Sequence, residues 1–343
     1  MAKHKTLKKK SKGRGRSIWI MVGLLVLGLA IGAAVGFYVH YNVINPSHKK
    51  AMQQKASAKK QSKPAKTYSQ PLPSDPAKVQ QIMAYMSQQV GARVAGTQSE
   101  NVAATYLKSE LEKLGYGVGW QQFSLPSGEV SQYLATADPG QTDKYTFLVT
   151  GHIDSRSGSP GANNDASGCA ALLELARTVK GTKHLTEIRF LLFGAEEGYG
   201  RSQTQKRMGS TYYLSTQSAE ERAKIVGMVS ADRISVGSEV HMRDWGPNSP
   251  GLAQVLVTAA QAKGVNAYQD PNNDSDHEPF GTSGIPAVWI ERMLPGGKPD
   301  PAINTSDDTM EHTSANLVTE LVDLLRGYIL GLNEAQCKAA VNR

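Results

Sequence analysis

Residues 144–179, KYTFLVTGHIDSRSGSPGANNDASGCAALLELARTV, decide the fold class because they form one strand–loop–helix unit. The run TFLVT is apolar and β-branched, which predicts a strand buried on both faces. A loop rich in Gly, Pro and Asn follows it, and SGCAALLELARTV then predicts an apolar helix. Parallel strands need such a helical crossover between them. The unit therefore favours an α/β fold.

The same alternation continues along the chain. Three further segments predict buried strands, and two predict helices: TEIRFLLFGAEE, KIVGMVSAD and IPAVWIE for the strands, PGLAQVLVTAAQAKG and SANLVTELVDLLRGYILGL for the helices. Near-continuous apolar strands covered by helices predict an α/β fold with a mainly parallel central sheet sandwiched between helices. No linker-like break interrupts the pattern, so we expect one domain over residues 74–336 and a short C-terminal tail over 337–343.

The positive charge of the chain is confined to its N-terminal region. The whole chain has a net charge of +8, yet residues 1–66 hold fifteen Lys and Arg and no Asp or Glu. The remainder carries 23 basic and 30 acidic residues. The predicted domain is therefore acidic, which argues against nucleic-acid binding.

The N-terminal region predicts a membrane anchor. A basic tail, residues 1–16, precedes the uncharged apolar run SIWIMVGLLVLGLAIGAAVGFYV at 17–39. A helix of about 20 residues crosses the hydrocarbon core, whereas a cleaved signal peptide has an apolar core of about 7–15 residues. We expect a retained, single-pass anchor at the cell membrane, with the basic tail in the cytoplasm and the domain outside. Seven Lys between 49 and 66 oppose that orientation. Residues 40–73 read as a flexible stalk rich in Lys, Gln, Ser and Pro.

Two cysteines, Cys169 and Cys337, lie far apart in the sequence. Cys169 begins an apolar helix, where a buried free thiol is the ordinary state. A disulfide between the two is the alternative. Two cysteines supply neither a disulfide scaffold nor a cysteine zinc site.

Polar side chains follow the predicted strands where each strand ends. His152 and Asp154 end the first strand, Glu196 and Glu197 end the second, and Asp232 ends the third. In open α/β sheets, ligands bind beyond the carboxyl ends of the strands. Each residue alone has an ordinary alternative as a turn, helix-start or loop residue. Together, a histidine and several carboxylates at one sheet edge favour a zinc site.

The spacing of these residues suggests their roles. Residues two apart in a strand share a side, so Asp154 is placed to orient the imidazole of His152. Adjacent Glu196 and Glu197 point in different directions. One of them can bind the metal while the other serves as general base.

Several motifs together resemble the zinc aminopeptidases of metallopeptidase family 28. They are GHIDSR, PGANNDASGCAALLELAR, FLLFGAEEG, SADRISVG and SDHEPFGTSGIPAVWIE, with GARVAGTQSENVAATYLKSELEKLGYGV before them. The resemblance covers about residues 80–333. It implies a mixed sheet between helices and a two-zinc site that removes N-terminal residues from peptides. It also admits glutaminyl cyclases, carboxypeptidases and binding proteins that have lost their metals.

The resemblance assigns roles residue by residue. It implies that His152 and Asp232 hold the first zinc and that Glu197 holds the second. Glu196 would act as general base, with Asp154 behind His152.

Two positions depart from the family pattern. The carboxylate expected to bridge the metals falls at Asn164, and Asp165 lies one residue later. The late histidine expected at the second metal falls at Asn304, with His312 eight residues further on. An amide is a poorer bridge because it offers one neutral acceptor oxygen. We predict that Asp165 turns in as a metal ligand, so the site holds one or two zinc ions. SDHEPF places Asp276 and His277 nearby, where we expect a polar loop and no ligand.

The sequence therefore predicts a membrane-anchored, extracytoplasmic zinc aminopeptidase acting on peptides. The alternative is an impaired pseudopeptidase that keeps the cleft as a binding module, which the two Asn positions favour. A glutaminyl cyclase is a weaker possibility because a one-zinc site of that kind would want the missing Asp and His.

Overall fold

The computed structural model describes residues 67–198 and 205–342. The predicted basic tail at 1–16, the predicted transmembrane segment at 17–39 and the stalk up to residue 66 lie outside these ranges. Within them, no helix combines the length and the apolar character that crossing a membrane requires.

Strands and helices alternate through most of the described chain. The strands are β1 Gly119–Ser124, β2 Val130–Asp138, β3 Thr146–His152, β4 Glu187–Phe193, β5 Ile225–Ala231, β6 Glu239–Asp244, β7 Ala267–Pro271 and β8 Ala287–Met293. The α-helices are α1 Pro76–Ala84, α2 Gln98–Lys113, α3 Ser167–Val179, α4 Met208–Thr216, α5 Ala219–Ala223, α6 Ser249–Gln261, α7 His277–Thr282, α8 Ala315–Gly331 and α9 Glu334–Val341. Short helical turns occupy Tyr85–Val90, Ala162–Ala166 and Met310–His312.

The strands form one sheet in the order β1-β2-β4-β3-β5-β8-β6-β7. The four central strands, β4, β3, β5 and β8, are mutually parallel. Strands β1 and β2 extend one side in antiparallel pairs, while β6 runs antiparallel to β8 and parallel to β7. The predicted mixed, mainly parallel sheet is confirmed.

Both faces of the central strands are buried, which explains their continuous apolar sequence. In β3, Phe147 and Val149 belong to the larger core with α1, α2, α3, α6 and α8. Leu148 between them points to the smaller core, which contains Tyr213 of α4 and Phe280 of α7. The alternation follows from the period of two in a strand.

The first helices begin and end where the sequence indicates. Asp75 caps α1 by accepting a hydrogen bond from the Ala77 N–H, and Pro76 occupies its first turn. Gly115 follows α2 with a φ of +83°, a conformation that glycine adopts at little cost.

Ordered structure extends to either side of 74–336. The Ser69 N–H donates to the carbonyl of Gly181 at 3.0 Å. Residues 337–341, expected as tail, continue helix α9, and Cys337 is fully buried in the larger core. Cys169 and Cys337 are both buried free thiols.

Helix α2 carries a buried carboxylate. Glu100 lies in its first turn and is fully buried. It accepts hydrogen bonds from the Gly96 N–H at 2.8 Å and from Ser131 Oγ of β2 at 2.7 Å. Burial raises the pKa of Glu100 to about 8.

Candidate metal centre

The predicted site residues meet at the carboxyl ends of the central strands. His152 is the last residue of β3, Glu196 and Glu197 follow β4, and Asp232 follows β5. Asp165 lies in the turn that leads into α3. All five side chains are buried.

The imidazole of His152 is held at both nitrogens. Its Nδ1 lies 3.0 Å from the backbone carbonyl oxygen of Asp154 and 3.4 Å from Asp154 Oδ1. Its Nε2 faces Asn164 Oδ1 at 3.0 Å and Asp232 Oδ1 at 3.6 Å. The main chain of Asp154 therefore makes the closer contact with the ring.

The carboxylate of Asp154 positions both glutamates. Its Oδ1 accepts the backbone N–H of Glu196 at 3.0 Å, and its Oδ2 accepts that of Glu197 at 3.1 Å. Ala195, just before them, has a φ of +57°, which turns the chain sharply after β4. Asp154 thus connects the end of β3 to the turn after β4.

The two neighbouring loop residues, Asn164 and Asp165, face different partners. The carboxylate of Asp165 accepts the backbone N–H of His152 at 3.0 Å and that of Gly168 at 2.8 Å. One ligand atom each of His152, Asp165 and Asp232 lie within 4.8 Å of one another. Asn164 instead directs its amide toward His152 and Glu197.

Glu197 is surrounded by hydrogen-bond donors. Its Oε1 accepts from Asn164 Nδ2, and its Oε2 accepts from Arg156 Nε at 2.8 Å and Asn304 Nδ2 at 3.3 Å. Asn304 Oδ1 in turn accepts from Asn164 Nδ2 at 3.1 Å. Sequence reasoning missed Arg156, although it lies two residues after Asp154 in the same loop.

Asp232 has one free acceptor. Its Oδ2 accepts from Ser275 Oγ at 2.8 Å, whereas its buried Oδ1 has no hydrogen-bond partner among the described residues. Arg233 Nε lies 3.7 Å from that oxygen, and Arg233 also pairs with Glu291 at 3.2 Å. Sequence reasoning assigned no role to Ser275 or Arg233, although both lie in motifs that carry the family resemblance.

Two sets of residues have an open relation to the site from the sequence alone. Asp276 and His277 are expected beside it without binding metal, and His312 is a possible substitute for the late histidine. Asp276 and His277 are buried beside Ser275, and His277 Nε2 lies 2.6 Å from the Asn272 carbonyl oxygen. His312 lies in the turn Met310–His312 before α8 and is exposed. It belongs to neither of the His-containing metal-ligand groups in the described chain.

The buried charged groups of the cluster shift one another's pKa. Burial opposes protonation of His152, but the neighbouring carboxylates of Asp154 and Asp232 and the negative charge of Asp165 raise its pKa well above the usual value. Burial raises the pKa of Glu196 well above its ordinary range, although His152 opposes the shift. Burial also acts against the charge of Asp232, but Arg233 and His152 lower its pKa. The surroundings of His152 therefore favour positive charge.

The residues around Asp232 fit a zinc ion. Two ligands of a tetrahedral zinc, each about 2.0–2.1 Å from the ion, lie about 3.3 Å apart. The two distances from His152 Nε2, 3.0 Å to Asn164 Oδ1 and 3.6 Å to Asp232 Oδ1, bracket that value. A buried carboxylate oxygen without a partner is the kind of acceptor that a bound cation would satisfy. Ligand atoms of His152, Glu196 and Glu197 form a second group within 4.8 Å.

A buried arginine supports this edge of the sheet. Arg93 is fully buried, and its backbone N–H donates to Ser155 Oγ at 2.9 Å. Its guanidinium donates to five backbone carbonyl oxygens, those of Met86, Gly91, Ile153, Pro160 and Gly161, at 2.7–3.1 Å. Arg93 therefore fastens the loop after His152 to the segment between α1 and α2.

The comparisons with known proteins agree with this geometry. The model of peptidase family M28 matches residues 133–329, which is more than half of the chain. The chain belongs to peptidase family M28.

Two curated relatives are 30% identical to this chain over their aligned segments. Leupeptin-inactivating enzyme 1 of Streptomyces exfoliatus is 30% identical over 226 residues, covering 63% of this chain and 48% of that protein. Aminopeptidase YwaD of Bacillus subtilis is 30% identical over 185 residues, covering 52% of this chain and 39% of that protein. The chain thus spans less than half the length of these two relatives.

Solved structures show the same fold. A zinc aminopeptidase from Bacillus subtilis superposes with a TM-score of 0.68 at 19% identity, covering 75% of this chain and 95% of that one. A glutaminyl cyclase from Porphyromonas gingivalis superposes with a TM-score of 0.64 at 20% identity, covering 75% and 98%. The fold is therefore shared by proteins of different activities.

Proposed function

We propose that this protein is a zinc-dependent aminopeptidase that hydrolyses the N-terminal peptide bond of peptides. One observation carries the proposal: His152 Nε2 and the unpartnered Asp232 Oδ1 face each other at 3.6 Å, with the carboxylate of Glu196 buried nearby. The family match and the curated relative named as an aminopeptidase support the same reaction class.

The residues of this chain divide the work. His152 and Asp232 hold the zinc, and Asn164 Oδ1 faces the same point. Asp165, expected as a ligand from the sequence, holds the backbone of His152 in place. A zinc bound there supplies Lewis acidity that polarises the scissile carbonyl.

Glu196 moves the proton. It accepts one proton from the attacking water, whose oxygen bonds to the scissile carbonyl carbon. It then gives that proton to the nitrogen of the breaking C–N bond, which leaves as an amine. Its raised pKa reflects a buried carboxyl group that holds a proton readily. Asp154 fixes the position of Glu196 relative to His152 by accepting the backbone N–H of Glu196.

The N-terminal region adds a location to the proposal. The basic residues 1–16 and the apolar residues 17–39 support a single-pass membrane anchor with the peptidase domain outside the cytoplasm. Protease added to intact cells should then digest the domain while sparing the N-terminal tail. A domain protected in intact cells and cleaved only after lysis would place it inside.

The purified full-length chain should hydrolyse aminoacyl 4-nitroanilides, lose that activity with a zinc chelator and regain it with added zinc. N-acetylated substrates serve as the control, since an aminopeptidase needs a free α-amine. Equal hydrolysis of acetylated and free substrates would contradict the aminopeptidase assignment.

The second candidate is a pseudopeptidase that binds peptides without cleaving them. Asn164 and Asn304, which stand where the resemblance expects a bridging Asp and a late His, favour it. Saturable peptide binding together with no hydrolysis at full zinc occupancy would establish this candidate over the first.

A further inference from the structure

The Glu197 carboxylate, where the second metal ion would bind, already has hydrogen-bond donors from the chain itself. Both carboxylate oxygens of Glu197 accept hydrogen bonds, from one guanidinium and two amides. The Arg156 guanidinium carries a permanent positive charge, so this contact is also an ion pair. A metal ion at Glu197 would have to displace these donors from a carboxylate that is only about 5% exposed.

The side-chain amide of Asn164 presents an acceptor to the His152 side of the site and a donor to the Glu197 side. Its oxygen faces His152 Nε2, and its nitrogen donates to Glu197. A carboxylate can present lone pairs to two cations at once, but an amide presents an acceptor on one side and N–H donors on the other. Rotating the amide by 180° would place its oxygen against the carboxylate of Glu197, which is repulsive. The amide therefore serves a cation on the His152 side alone.

Asn304 completes the replacement. It adopts a left-handed φ of +65°, which Asn tolerates, and its amide spans Asn164 and Glu197. The polar cavity lined by Arg156, Glu196, Asp232 and Asn304 has a volume of about 20 Å³. That space suits about one water-sized occupant.

We propose that Arg156, with Asn164 and Asn304, replaces the second metal ion, so that the chain holds one zinc, on His152 and Asp232. The proposal rests on the metallopeptidase function proposed above. It explains how the Glu197 carboxylate is accommodated in a buried site without a second dication, because Arg156 supplies a cation at 2.8 Å.

The zinc content of the purified full-length chain tests the proposal directly. Dialysis against buffered zinc, followed by elemental mass spectrometry, should give about one zinc per chain. X-ray absorption at the zinc edge should show no zinc–zinc scattering at about 3.5–4 Å, the separation in two-metal sites. Two zinc ions per chain would overturn the one-metal proposal and leave the metallopeptidase function intact. No zinc would overturn both.

Variants test whether Arg156 and the two amides cause the difference. The triple variant Arg156→Met, Asn164→Asp, Asn304→His should raise the content to about two zinc ions and add the zinc–zinc scattering. The matched control carries Arg156→Lys with the same two Asn changes. Because this variant retains a cation beside Glu197, its second site should bind zinc at least tenfold more weakly than the second site of the Met variant. Each variant is first checked for a cooperative thermal transition. A folded triple variant that still binds one zinc would overturn the role of Arg156.

Discussion

Two buried polar regions lie next to each other in this protein, and their hydrogen bonding differs. Arg93, beneath the loop after β3, donates to five backbone carbonyl oxygens. In the metal centre, Asp232 Oδ1 has no hydrogen-bond partner among the described residues. Folded proteins pair nearly all buried polar atoms. The first region therefore stabilises the fold, and the second keeps an acceptor available for a ligand.

This difference predicts that changes in the metal centre reduce activity and leave stability nearly intact. Glu196→Gln removes the proton acceptor, so kcat should fall about 10²- to 10⁴-fold. Because Gln keeps the size and polarity of the Glu196 side chain, the free energy of unfolding should change by less than about 0.5 kcal/mol. The measurements are kcat on an aminoacyl 4-nitroanilide and urea unfolding, with the exposed Glu220→Gln as control. Full activity in Glu196→Gln would remove it from the mechanism.

The supporting region should respond in the opposite way. Arg93→Met leaves several buried carbonyl oxygens unpaired, each at a cost of about 1 kcal/mol or more, so unfolding should become easier by at least about 3 kcal/mol. Urea unfolding measures the change. Arg326→Met, which removes a partly exposed arginine paired with Asp323, should cost under about 1 kcal/mol. A loss for Arg93→Met no larger than this control would mean that water satisfies the carbonyls.

Glu100 should make the free energy of unfolding depend on pH, which gives a further test of the buried groups outside the metal centre. Its pKa is about 8 in the folded protein, against an ordinary value of 4.5. The folded state therefore binds more protons than the unfolded state between these values, and stability falls as the pH rises through that window. In Glu100→Gln the fall between pH 5.5 and pH 7.5 should be smaller by about 2.5 kcal/mol. Urea unfolding at the two pH values gives both slopes, and parallel slopes would mean that Glu100 is charged throughout.

The smallest effect is expected far from the site, at Cys337 of α9. Cys337→Ala removes one buried sulfur from the core and should cost about 1 kcal/mol with unchanged kcat. Because Cys169 and Cys337 are free thiols, the electrophoretic mobility should be the same with and without reductant. A mobility shift confined to the parent chain would reveal a disulfide.

The sequence predicted the centre of the fold better than its edges. The central strands have nearly continuous apolar sequences, which predict burial on both faces: β3, β4, β5 and β8. Strands β1, β2, β6 and β7 were not predicted. Strands β1 and β7 are short outer strands with mostly exposed or half-buried side chains. Strands β2 and β6 are mostly buried, but their sequences mix polar with apolar residues. The sequence predicts a tail from residue 337, whereas helix α9 continues to Val341; only Cys337 of its eight residues is buried, so the helix has no clear apolar pattern.

For the site, prediction reached the residues that directly follow strands. His152, Glu196, Glu197 and Asp232 are visible in the sequence because an apolar run stops at each of them. The partners of Arg93 are backbone carbonyls, which carry no sequence signal. Whether Asn164 or Asp165 faces His152 depends on a single turn of the chain, which residue spacing alone does not determine.

The two hydrogen bonds of Asp154 have a mechanical consequence. One carboxylate holds two successive backbone N–H groups after β4, while its own main chain holds the imidazole that ends β3. Small shifts of one strand relative to the other are thus transmitted to the metal ligand and the base together. The segment 152–154 therefore sets the distance between the His152 imidazole and Glu196, and movements elsewhere in the sheet should leave that distance unchanged.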